Sequence, residues 1–292
     1  MAGKHFIIAM DVGGSSVKSG LVDFDLQITH TTKTPIDSQG SADAILNTLR
    51  DVIQHHLAQA EHIYGVGFGF PGPMEYDKGI ARIKDLAKFE AIYGLNIGDE
   101  LRTRLNQPNL LIRFRNDAEA AIVGEAQFGA GKGYRRIIGI TLGTGIGSDF
   151  MIDGQRVSSG KGVPNYNDGI LNLEPFKGER ADDIFSTRGL LARFAAAGLP
   201  FAGISEARAA ADKGDAAVRQ VFTAFGADLG SFLAPYATEF EAEIVLIMGG
   251  ISGAMEYFQD SLRHNLPVPM LAGTLGSDAA LLGAVEPLLA SH

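Results

Sequence analysis

No cysteine occurs among the 292 residues, which excludes a disulfide framework, a thiolate nucleophile and any zinc site with sulfur ligands. Positive charge is also scarce: 25 Lys plus Arg stand against 34 Asp plus Glu, a formal net charge of −9. That balance runs against a phosphate-backbone binder, whose footprint is basic. No apolar run approaches the ~20 residues of a membrane span. The run before Asp11 is too short for a secretory core, and no small-residue cleavage site follows it. These absences predict a cytoplasmic chain with no nucleic-acid and no membrane partner. What is abundant is apolar material, 46% of residues, enough for one large domain or two lobes. Glycine is abundant too: 37 residues, roughly twice the usual ~7% share, imply many tight turns or loops whose backbone closely approaches something.

Strands are predicted at 5–11, 17–23 and 27–34, then an amphipathic helix whose Ile45, Leu49, Val52, Ile53 and Leu57 share a face behind a Ser41 cap. A strand at 63–70 runs into Pro71-Gly72-Pro73, and another at 110–115 ends at Asn116-Asp117, which opens an alanine-rich helix. The pattern then restarts with strands at 136–142 and 148–153. A shift of 130 residues sets Asp11 on Thr141, Gly13 on Gly143, Val22 on Ile152 and Asp23 on Asp153 without a gap. Two lobes, each begun by a β-meander, are the expectation. Helices at 215–234, 251–263 and 277–289 and a strand at 243–248 complete the second half.

Three glycine-rich turns follow predicted strands: 11–18 (DVGGSSVK), 141–147 (TLGTGIG) and 248–253 (MGGISG). Backbone N–H groups in such turns converge on phosphate oxygens, since glycine permits close approach and positive φ. Lys18 adds a cation to the first, and Asp11 a carboxylate suited to Mg²⁺ through water. The plainer reading makes each a tight hairpin turn. No G-x-x-x-x-G-K-[ST] occurs. A G-x-G-x-x-G at 67–72 is set aside, because Pro71 and Pro73 block the helix that a dinucleotide site needs. Asn116-Asp117 reads either as a capping box with Glu119 or as a catalytic pair, in which an ionised Asp117 accepts a hydroxyl proton during phosphoryl transfer.

DVGGSSVKSGLVD, GFGFPGPM, NDAEAAIVGEAQFGAGKGYRRIIGITLGTGIG and VLIMGGISG, in this order, resemble the ROK (repressor, ORF, kinase) sugar kinases of the hexokinase–actin superfamily. The resemblance covers nearly the whole chain and is most specific from Asn116 to Gly147. It implies an α/β, two-lobed actin-like/hexokinase (ribonuclease H-like) fold with a duplicated β-meander and an inter-lobe cleft. The lobes would be 1–117, completed by the C-terminal helix 277–292, and 118–276. It further implies an ATP- and Mg²⁺-dependent carbohydrate kinase and a homodimer. Asp117 would be the general base and Asn116 a sugar contact. Gly13, Gly14, Ser15 and Lys18 would form the first phosphate loop, with Asp11 near Mg²⁺. Gly143, Thr144 and Gly145 would form the second, Gly249 and Gly250 would lie by the adenosine, and Gly72 and Pro73 would line the sugar pocket. With the first strand expected to begin by residue 5, the helix-turn-helix that precedes this domain in ROK repressors is not expected.

The chain also departs from the family pattern. Where many members carry Glu-x-Gly-His, this sequence has Asn167-Asp168-Gly169-Ile170, and the Cys-rich zinc loop that follows is missing. No zinc site is expected. Asp182 best matches a later sugar-binding Glu, with Glu174 and Asp183 as rivals, and Asp85 falls where the family places Asn beside the sugar. The phosphate machinery and base match while the sugar-reading set has changed, so an acceptor other than ordinary glucose is one expectation. Polyphosphate as donor, or a non-catalytic binding protein on the same fold, are the alternatives.

Overall fold

The structure, a computed structural model, describes residues 4–164 and 169–290. It divides into two compact units, residues 1–124 with 277–292, and residues 125–276.

The first unit is built on a five-stranded sheet of β1 (His5–Val12), β2 (Ser16–Asp23), β3 (Ile28–Pro35), β4 (His62–Phe70) and β5 (Ile112–Asn116), in the order β3-β2-β1-β4-β5. β1, β2 and β3 form an antiparallel meander, while β4 and β5 add in parallel. Ile7 to Met10 are all fully buried, as befits a central strand covered on both faces. Ile8 and Met10 share a core with Ile45, Leu49 and Ile53 of α1 (Ala42–Leu57). Ser41 caps α1 as expected, accepting from the Ala44 N–H at 3.2 Å. Helix α2 (Ile97–Leu105) went unpredicted from the sequence, and α3 (Asp117–Phe128) follows β5 directly.

The second unit repeats the plan. β6 (Arg136–Leu142), β7 (Ile146–Ile152), β8 (Gln155–Val157), β9 (Ile244–Met248) and β10 (Met270–Ala272) are ordered β8-β7-β6-β9-β10, again a meander followed by parallel strands. The duplicated meander is therefore present, with one difference hidden by the ungapped match. Val12 pairs with Val17 around a four-residue turn, whereas Leu142 pairs with Ile146 around a three-residue turn. Helices α4 (Ala181–Phe185), α5 (Thr187–Ala196), α6 (Ile204–Asp212) and α7 (Ala216–Glu239) surround a core rich in Phe185, Phe194, Phe222, Phe225 and Phe258.

The helix expected over 251–263 is instead a 3₁₀ segment, Gly250–Tyr257, followed by α8 (Gln259–Asn265). Gly250, Ser252 and Gly253 are poor helix formers, and Phe258 leaves helical geometry at φ −132° to bury its ring 5.4 Å from Phe225. The chain then returns to the first unit as α9 (Ala279–Leu289), packed on β1 and β4. Gly67 leaves space for this: a Cβ there would strike the backbone of Ala284.

Candidate active site

In the first unit, strand register gathers the acidic candidates. Asp11 on β1 lies opposite Gly69 on β4, and Phe70 lies opposite Asn116, the last residue of β5. A Cβ on Gly69 would sit 3.7 Å from both Asp11 Oδ1 and the Asp117 Cα, so glycine leaves the space between the two acids open. Burial, and then the neighbouring Asp117 charge, push the Asp11 carboxyl up to about 6, against the opposing pull of Lys18. Burial also raises the Asp117 pKa, opposed by the Ala118 N–H and by the charge of Lys88. Such a pair, offset only in part by Lys18 and Lys88, suits a cation or a proton in transit. Among the described residues no group of three or more His, Cys, Asp or Glu forms a metal cage.

Asn116 does the capping that its position predicted. Its Oδ1 accepts from the N–H groups of Ala118 and Glu119 at 3.0 and 3.2 Å, which fixes the first turn of α3 and with it Asp117. Its Nδ2 donates to the Tyr76 hydroxyl at 3.0 Å, and that hydroxyl donates to the Phe70 carbonyl at 3.2 Å. Tyr76 is a member of the site that the sequence did not single out. Gly72 is tied to it by shape, because a Cβ on Gly72 would lie 2.6 Å from the Tyr76 oxygen. Pro73 is exposed beside it.

The first loop is a tight hairpin in which the Gly13 N–H donates to the Ser16 carbonyl at 2.9 Å, leaving Gly14 and Ser15 exposed. Neither Gly13 nor Gly14 has positive φ, so the turn does not depend on that freedom. Lys18 faces Asp11 across the β1–β2 pair, yet its amine donates to Ser277 Oγ and Asp278 Oδ1, each at 2.6 Å. A second lysine, Lys88, runs its stem past this loop: Cδ lies 3.9 Å from where a Gly14 Cβ would be. Asp85, on the same segment as Lys88, is exposed, has φ 59° and makes no side-chain hydrogen bond among the described residues. Asn167 and Asp168 lie outside the described residues.

In the second unit, the 143–145 turn is held from behind. The Gly143 carbonyl accepts from the backbone N–H and the hydroxyl of Thr187 at 2.7 and 2.8 Å. Asp182 Oδ1 accepts from the Ile146 N–H at 3.0 Å and Oδ2 pairs with Arg188 at 2.8 Å, so both oxygens are engaged. A Cβ on Gly145 would come within 2.7 Å of the Asp182 carboxylate, so a side chain there would press on the acid that holds the turn. Thr144 is exposed at the tip. Gly249 does use glycine's freedom: at φ 96° it turns β9 into the 3₁₀ segment, and its carbonyl accepts from Ser252 Oγ at 2.6 Å. Gly250 is open. Of the rivals to Asp182, Glu174 accepts from the Tyr236 hydroxyl at 2.7 Å, and Asp183 pairs with Arg180 and Arg188.

The sequence matches the family model described as the ROK family over residues 7–286. The chain belongs to the ROK family. A near-full-length relative is a glucokinase of Thermotoga maritima, 29% identical over 97% of each chain. In fold, this ROK chain is similar to a ROK hexokinase from Thermus thermophilus, with a TM-score of 0.77, 20% identity and 96% of each chain covered. It is also similar to a ROK family glucokinase from Streptomyces griseus, solved with glucose and AMPPNP, with a TM-score of 0.71, 24% identity and 97% and 98% of the two chains covered. The α/β actin-like fold inferred from its motifs is thus shared with these enzymes. Among the described residues, no helix of the ROK chain is long and apolar enough to cross a membrane.

Proposed function

We propose that the chain is an ATP- and Mg²⁺-dependent carbohydrate kinase that passes the γ-phosphoryl group to a hydroxyl of a hexose or hexose derivative, with Asp117 as general base. The chain is a sugar kinase on its family and its near-full-length glucokinase relative. The observation that carries the finer reading is the desolvated pair Asp11–Asp117 around Gly69. Among the described residues no third acid joins them, and Asp11 fits a hold on Mg²⁺ through water, since Mg²⁺ prefers one or two carboxylates, several waters and phosphate oxygens to an all-protein cage. When bound there, Mg²⁺ would neutralise charge developing on the phosphate oxygens.

The residues then have separable tasks. Asp117, fixed by the Asn116 cap, takes the proton of the acceptor hydroxyl as its oxygen bonds to the γ-phosphorus. The bond from that phosphorus to the bridging oxygen breaks, and ADP leaves with the electron pair. Asp117 later returns its proton to solvent. Exposed backbone at Gly14 and Ser15 in one unit, and at Thr144 in the other, is suited to phosphate oxygens. Asn116 and Tyr76 form a fixed polar wall for a sugar. A cytoplasmic homodimer belongs to the same proposal, and sedimentation equilibrium tests the dimer.

ADP release with Mg-ATP across glucose, mannose, fructose, glucosamine, N-acetylhexosamines and a no-sugar blank tests the activity. Sugar-dependent release is expected from the wild type, and Asp117→Ala should lower kcat by about 10³-fold or more while still binding nucleotide. Unchanged turnover in the variant would remove Asp117 from its role. Transfer from polyphosphate and not from ATP would replace the donor. Ligand binding without transfer to any sugar would favour the non-catalytic reading motivated by Asn167 and Ile170.

A further inference from the structure

The sequence places one cation, Lys18, at the first phosphate loop, but the fold commits that amine to Ser277 and Asp278. A second cation beside this loop is not engaged in that way. Lys88 is half-buried and makes no hydrogen bond or ion pair among the described residues. Its charge bears on Asp117, and no hydrogen bond ties down the amine, which leaves it able to meet an anionic ligand.

The segment that carries Lys88 is built with unusual care. Asp85, Ala87 and Phe89 all adopt positive φ, at 59°, 54° and 56°, a conformation that side chains other than glycine disfavour. Backbone strain of this kind persists where surrounding structure over-determines it, and it concentrates at working sites. Here Glu90 Oε1 accepts from the N–H groups of Leu86 and Ala87 at 2.9 and 2.8 Å. Gln39 Nε2 donates to the Ala87 carbonyl at 3.1 Å, and the Phe89 N–H donates to the Ser38 carbonyl. The Phe89 ring is fully buried, 5.6 Å from Phe70. Between this strap and the Ser38–Gln39 turn is a cavity of about 200 Å³ flanked by Lys88.

We propose that Lys88 is a catalytic residue of phosphoryl transfer: the strap carries its stem across Gly14, and its ammonium contacts the transferring phosphoryl group beside Asp117. This rests on the kinase reading above. The chemistry asks for such a group, since charge on the phosphoryl oxygens must be offset in a place that already holds two carboxylates. Lys88 keeps all its protons throughout, and the hydroxyl proton still goes to Asp117. Its charge also acts on Asp117 in the free protein, favouring the ionised base. Phe89 and Glu90 are positioning residues in this scheme, since they hold the strap and touch no phosphate.

The test compares wild type with Lys88→Ala, Lys88→Met and Lys88→Arg. Methionine keeps an unbranched stem over Gly14 and removes only the charge, so it remains informative should alanine disturb the strap. We expect kcat to fall about 10²–10³-fold in the Ala and Met variants, with the sugar KM within a few-fold of wild type and at least partial recovery in the Arg variant. Calorimetric titration supplies a readout independent of turnover: the Ala and Met variants should lose about tenfold more affinity for Mg-ATP than for Mg-ADP. A kcat within about threefold of wild type, or equal losses for the two nucleotides, overturns the assignment and leaves the kinase reading intact. If the wild type binds nucleotide but phosphorylates no sugar, the kinase reading falls and the catalytic role of Lys88 falls with it. If it binds neither nucleotide, both fall.

Discussion

Asp11 and His56 carry opposite pH signatures within one unit. Burial and the Asp117 charge hold the Asp11 carboxyl up at about 6, above its ordinary 3.8, so the folded state binds the extra proton as pH falls through that window. Stability from this group is therefore gained between about pH 6 and 4 and forfeited above pH 6, by up to about 3 kcal/mol. His56 is buried against the Ser19 hydroxyl at 2.8 Å, and burial, with the charges of His55 and His30, pushes it down to about 4 from 6.5. There the unfolded chain binds the proton, so stability falls as pH drops from about 6.5 to 4. Asp11→Asn should raise the melting temperature of the ligand-free protein at pH 7 while cutting kcat by about 10²-fold or more. Thermal melts across pH should show that gain shrinking towards zero by pH 4, and a constant gain would mean that the Asp11 shift is not its source.

Where α9 meets the rest of its unit, two backbones come close enough that side chains are excluded. A Cβ on Gly283 would overlap the Ala120 carbonyl of α3, and one on Gly124 would overlap the Ala279 carbonyl. Gly283→Ala should therefore destabilise by about 2–4 kcal/mol, read by urea unfolding, although alanine is the better helix former. A loss under ~0.5 kcal/mol would show that the crossing is loose. In the other unit, Asp182→Ala removes the acceptor of the Ile146 N–H, and the 143–145 turn should exchange its amides faster while the phenylalanine core stays protected. Elements like these differ in how far the sequence reveals them. The meanders were legible because β1, β2, β6 and β7 alternate or saturate in apolar residues around glycine turns, and Asn116 announced its helix through local capping chemistry. Lys88 was not, since its place depends on three left-handed residues that are not glycine and on a clamp from Glu90. Nor was the pairing of Lys18 with Asp278, which joins residues 260 apart in sequence. Asp182 was legible as an important acid, but its bond to Ile146 belongs to tertiary packing.

Taken whole, the molecule has one unit continuous in sequence and one that is not, since residues 1–124 are completed only by 277–292. Leu281, Leu282, Val285 and Leu288 of α9 are buried within that unit. Burying four such side chains is worth roughly 6–12 kcal/mol, comparable with the ~5–15 kcal/mol that holds a typical domain folded. Removing 277–292 should therefore leave 1–124 unprotected in hydrogen exchange while the sheet of 125–276 retains slow amides. Uniform loss of protection would show that neither unit stands without the other. The same connectivity sets a timetable on the ribosome. Translation proceeds from the N-terminus at about 5–20 residues per second. The strands bearing Asp11 and Gly69 are thus made first, yet must wait roughly 10–30 seconds, while the second unit is synthesised, before the helix that covers them exists. The first half of the nascent chain is the last to be finished, and through that interval its bare apolar sheet face is the surface a chaperone would meet.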